Sequence, residues 1–211
     1  MATRSVSATS RGLRRTKPHH WLWILLGLLG LSVLAFTDYP IFLGDDHYHA
    51  RARLLAKTII LIPHVMGGVV AIVLGPFLFS TRFRQRHLKR HRVMGRVYVI
   101  AIAVAAPTAY LMGPSLGNAV GAFLWAACTA AAFQTARNRQ IQAHRQWMIR
   151  SYLFTLNFVF TRVLNPWPAW VRFSDANLDA MLITFHVAFL FFPDVYFNWR
   201  ELTTKRKPAA G

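Results

Sequence analysis

KTIILIPHVMGGVVAIVLGPFLFS, residues 57–80, carries one lysine at its start, one histidine seven residues further on, and no other charged or titratable side chain. About 20 consecutive apolar residues are what a helix needs to cross a bilayer core. Five further stretches read the same way on either side of it. They are residues 21–36, 91–112, 117–135, 144–165 and 178–197. Gly113-Pro114 breaks the chain after the third of the six. Alanines crowd the fourth, which permits close helix packing. Trp21 and Trp23 stand where the first meets the interface. The expectation is an all-α, polytopic transmembrane bundle of six spans over residues 21–199, with basic tails at 1–20 and 200–211. Composition agrees: the 211 residues are 55% hydrophobic and only 7 are acidic, with a mean hydropathy of +0.32. A soluble domain of that kind would expose large apolar patches.

The basic residues orient the spans. The tail before span 1 has five Lys/Arg, TRFRQRHLKRHR (81–92) has six, ARNRQIQAHRQWMIR (136–150) has four, and the C-terminal tail has four. In a six-span chain all four segments fall on one side. The positive-inside rule makes that side cytoplasmic, with both termini there and the protein in the inner, plasma membrane. The net charge of +18 is then topology and affinity for anionic lipid, and nucleic acid is excluded as a partner. The N-terminal basic region followed by WLWILLGLLGLSVLAF is longer than a signal core and lacks a small-x-small cleavage site, so it reads as an uncleaved first span. The single cysteine, Cys128, excludes an internal disulfide and a cysteine metal framework.

Nine histidines remain to be placed. His19, His20, His47 and His49 flank the membrane; DDHYH (45–49) is a weak divalent-metal signal. His87 and His91, four apart, could share a helix face. The informative ones are His64, His91, His144 and His186. At 1.5 Å per residue, His64 enters span 2 to about 10 Å and His186 enters span 6 to about 12 Å, from the same outer side. His91 and His144 both begin spans at the inner side. Four histidines on four helices thus form an outer pair and an inner pair by depth.

Depth-matched imidazoles on different helices are what a six-coordinate b-type haem requires, one ligand from each face. Two such haems, b-type and stacked, would carry electrons across the bilayer. Arg92, Arg96, Arg145 and Arg150 surround the inner pair and would meet its propionates; Arg162 would meet an outer haem propionate or Asp179. A histidine beside arginine at a helix start also serves as an interfacial anchor, and a buried one can simply hydrogen-bond a neighbouring helix. An intramembrane His/Arg set could equally form a proton relay in a transporter.

Three pieces of sequence resemble the bacterial membrane-protein family called domain of unknown function 2306: H-x-x-x-G from His64 leading to LGPFLF, HRVMGRVY (91–98), and HRQWMIRSY (144–152) followed by Thr161-Arg162. The resemblance covers about residues 55–197. It implies a multi-pass helical membrane protein and brings no reaction with it. More loosely, the chain is similar to the ascorbate-reducible, six-span b-type cytochromes, whose paired histidines hold two haems on four consecutive helices. Here span 4 carries no histidine. The expected function is a haem-binding transmembrane electron-transfer protein or oxidoreductase, with a quinone or another small molecule as redox donor or acceptor. The rivals are a proton-coupled transporter and a non-catalytic assembly or lipid-binding protein. Neither the oligomeric state nor an enzymatic reaction is readable. Hydrolysis is excluded, because no carboxylate lies between residues 47 and 174.

Overall fold

The structure is a computed structural model, and it describes residues 20–33, 35, 56–157, 160–161 and 168–203. The DDHYH loop, Arg162 and the tail segments 1–19 and 204–211 lie outside the described residues. Everything regular within them is helical: α1 (His20–Val33), α2 (Thr58–Phe79), α3 (Thr81–Arg86), α4 (Leu88–Met112), α5 (Leu116–Arg137), α6 (Ile141–Thr155), α7 (Pro168–Ala176) and α8 (Leu178–Thr203). Four segments are long and apolar enough to cross a membrane: Thr58–Phe79, Leu88–Met112, Leu116–Arg137 and Leu178–Val195. The described parts of α1 and α6 are 14 and 15 residues long. The count of six spans therefore rests on sequence alone for the first and fifth.

The surface shows why this chain needs lipid. Ile59 is 89% exposed, Phe123 71% and Ile100 64%, whereas the interior holds Tyr98, Tyr152, Ser151 and Thr155 almost completely buried. An apolar exterior around a core that includes hydroxyls suits hydrocarbon as the surrounding solvent. Within such a solvent, helices associate through close packing and hydrogen bonds. Gly67 of α2 lies so near α4 that a Cβ there would sit 2.7 Å from the Ala101 carbonyl oxygen. Gly75 of α2 likewise leaves room for the Tyr152 ring of α6, whose hydroxyl donates to the Ile72 carbonyl at 3.2 Å.

Direction follows from contacts at the helix ends. Lys57, at the start of α2, donates from Nζ to the carbonyls of Met112 (2.8 Å) and Leu111 (3.3 Å) at the end of α4. A cation there satisfies carbonyls that have no intrahelical partner and complements the helix dipole. His144, at the start of α6, bonds Ala132 near the end of α5. Asp179, at the start of α8, accepts from Gly117 N at the start of α5 (2.9 Å). Helices α2, α4, α5 and α6 therefore alternate in direction, and α4 and α6 run parallel. Segments 81–92 and 137–145 share one end, called here the basic end. Helix α6 packs against α2, α5 and α8.

Two elements depart from the expected loops. The basic stretch after span 2 is not a plain loop: Ser80 ends α2 and caps the short helix α3, its Oγ accepting from Phe83 N at 3.2 Å. Between the fifth and sixth spans lies α7, whose Trp170 ring packs near Phe185 of α8 at 6.5 Å.

Candidate functional site

A buried hydroxyl ladder sets the relation between α4 and α6. Tyr98 Oη of α4 lies 3.0 Å from Ser151 Oγ and 3.1 Å from Thr155 Oγ1, both on α6. Ser151 Oγ reaches Thr129 Oγ1 of α5 at 2.7 Å, and Trp125 Nε1 donates to Thr155 Oγ1 at 3.2 Å. Three helices are thereby pinned at one level. Seven residues back along each parallel helix, two turns towards the basic end, stand His91 and His144. Because α4 and α6 share direction and register at Tyr98–Ser151, these two histidines arrive at one level as well.

His91 lies within electrostatic reach of His144, Arg84 and Arg92. Its Nδ1 is buried and has no hydrogen-bond partner among the described residues. His144 Nδ1 is 2.8 Å from the Ala132 carbonyl. A carbonyl only accepts, so this nitrogen carries a proton, and in the neutral ring Nε2 is the one with the lone pair. That arrangement orients ligating histidines in general. Between His91 and Tyr98 on α4 stands half-buried Gly95, and a Cβ there would meet nothing within 4 Å. Arg92, Arg96 and Arg145 are exposed around this end.

Arg150, expected as a propionate partner, is held by protein groups. Its Nε donates to the Leu190 carbonyl at 3.1 Å, its NH2 group pairs with Asp194, and its guanidinium lies over the Trp147 ring at 5.0 Å. Pro193 sits inside α8 next to Asp194, and a helical proline removes one backbone donor. Arg150 thus joins α6 to α8 beside that break. Asp194 was missed by the sequence reading, although an acid within an apolar span was a signal available there. The hydroxyl ladder was missed too; its signal was Ser/Thr/Tyr recurring at four- and seven-residue spacings in apolar runs.

The outer pair is not assembled. His64 Nδ1 is 2.9 Å from the Ala105 carbonyl, at the interface of α2 and α4. His186, only 3% exposed, is pressed against α5 and α6 instead. A Cβ on Gly121 would lie 2.4 Å from its Cε1, and its ring stacks on Phe154 at 5.4 Å between centroids. Its Nδ1 is buried without a hydrogen-bond partner among the described residues. Equal depth did not bring the two histidines to one interface: His64 bonds α4, whereas His186 packs against α5 and α6.

A family model described as a predicted membrane protein (DUF2306) matches residues 61–198. No curated protein and no solved structure matches the chain.

Proposed function

The chain belongs to this DUF2306 family of predicted membrane proteins, and we propose that it is a membrane-embedded, haem-binding redox protein with its cofactor at the basic end, between His91 and His144. What supports the reading is the Tyr98–Ser151 contact, whose register between parallel α4 and α6 puts the two imidazoles at one level, with His144 oriented by the Ala132 carbonyl. Among the described residues no group of three or more ligating side chains could hold a bare metal ion. A haem needs only two protein ligands, since the porphyrin supplies the rest. The residues present fit that demand: an orphaned buried Nδ1 on His91, an Nε2 lone pair on His144, and open space beside Gly95.

When bound, the haem would supply one-electron redox chemistry. The chain's own part is ligation by His91 and His144, and cationic partners for carboxylates from Arg92, Arg96 and Arg145. The hydroxyl ladder holds α4 and α6 in register. The proposal concerns one site. His64 and His186 are left to their separate interfaces, so the stacked pair of haems suggested by depth is not carried forward. With the basic end cytoplasmic, the protein would exchange electrons on the inner side of the plasma membrane with a quinone or another small redox molecule.

The test is the visible spectrum of protein purified from haem-supplemented cells. A reduced b-type spectrum at about one haem per chain is expected for a bis-histidine site. His144→Ala and His91→Ala should each abolish it, and His64→Ala should leave it intact. A folded, colourless preparation would sink the redox reading.

A further inference from the structure

The basic end carries a second feature, independent of any haem. Helix α3 is one and a half turns long and leaves α2 directly at Ser80; His87 breaks it again before α4. Its central residue, Phe83, is half-buried, with its ring 6.0 Å from Phe77 and 5.5 Å from His87. On either side stand Arg82, Arg84 and Arg86, followed at once by Lys89 and Arg90 on α4. All but Arg84, which is half-buried, are exposed.

Among the described residues, no carboxylate pairs with these cations. The chain's seven acidic residues lie at positions 38–46 and 175–201. The two whose side chains are described are engaged elsewhere, Asp179 by Gly117 N and Asp194 by Arg150. The neighbours place the cluster in depth. Phe77, in the last turn of α2, and Leu88, at the first residue of α4, are each 48% exposed. Apolar side chains that face hydrocarbon therefore run right up to α3 on both sides. Anchored by Phe83 at that boundary, the arginines fall in the layer of the lipid phosphates. Guanidinium groups match phosphate oxygens by paired N–H donors.

We propose that α3 and the first turn of α4 form a binding surface for anionic phospholipid headgroups, with Arg82, Arg84, Arg86, Lys89 and Arg90 gripping the phosphodiester. Phe83 acts as the apolar peg that holds the helix along the membrane plane. A soluble polyanion could reach these groups only from the water side, whereas a lipid phosphate is already at their level.

The experiment uses the full-length protein in detergent, stripped of lipid and titrated with phosphatidylglycerol or phosphatidylcholine, with bound lipid counted by native mass spectrometry. Wild-type protein should retain phosphatidylglycerol over phosphatidylcholine. The Arg82→Gln/Arg84→Gln/Arg86→Gln variant should lose that preference by about tenfold or more, since each basic group near an anionic surface contributes roughly fivefold. Arg172→Gln, on α7 at the opposite end, should leave it unchanged. Lys89→Gln/Arg90→Gln gives a smaller loss and serves if the triple variant does not fold. Equal retention of the two lipids by wild type, or unchanged retention by both glutamine variants, overturns the proposal. Displacement of phosphatidylglycerol by equimolar inorganic phosphate would assign the surface to a soluble anion and also overturn it.

Discussion

Removing single hydroxyls from the ladder should produce unequal losses, and the structure says in which order. Tyr98→Phe deletes a group that contacts Ser151 and Thr155. Neither partner is orphaned. Ser151 keeps Thr129, and Thr155 still accepts from Trp125 and donates to the Ser151 carbonyl. The loss is then that of an ordinary interhelical bond in a membrane protein, about 0.6 and at most about 1.7 kcal/mol. Thr155→Val keeps the shape but removes the acceptor of Trp125 Nε1–H, on a residue only 8% exposed. A buried donor left without a partner costs about 1–3 kcal/mol. Thr155→Val should therefore be the worse variant, by roughly 1 kcal/mol. The double variant should cost less than the sum, because both changes remove the Tyr98–Thr155 contact. Unfolding in mixed micelles containing a denaturing detergent, followed by far-ultraviolet circular dichroism, measures all three. Tyr98→Phe proving equal to or worse than Thr155→Val would refute the assigned bonding pattern.

Arg150→Met should destabilise the bundle by about 2–3 kcal/mol, the range for hydrogen bonds to a charged group; Asp194→Asn should cost less, because that side chain is 48% exposed. The same unfolding assay compares them, and the reverse order would remove Arg150 from its role as the α6–α8 staple. Gly75→Ala puts a Cβ 2.0 Å from Tyr152 Cε2, an overpacking expected to cost about 1–3 kcal/mol. Combining it with Tyr152→Leu should recover part of that loss, and no recovery would place the strain elsewhere. For topology, cysteines introduced at Arg86 and Asn138 in a Cys128→Ala background should both be labelled only from the cytoplasmic side in spheroplasts. Labelling of either from outside would overturn the assignment of the basic end.

How far the sequence reached can be seen residue by residue. The apolar run at 57–80 was legible as a span because its length and lack of charge depend on the chain alone, and Gly113-Pro114 marked a helix end for the same local reason. The four histidines could be sorted by depth, since helical rise converts residue number into distance along one axis. What that axis omits is the direction in which each side chain points around its helix, and which helices are neighbours. The parallel run of α4 and α6 and the Tyr98–Ser151 bond put His91 and His144 at one level. His64 and His186 went to different interfaces, each ring settling where a carbonyl or a glycine gave it room. Arg150 shows the same limit: its charge was visible in the sequence, but its partner, 44 positions away, was not. Composition and periodicity determined that this chain is a basic, multi-pass helical membrane protein. Only tertiary packing decided which polar groups meet inside it, because hydrogen bonds between helices depend on azimuth and adjacency, which no single span encodes.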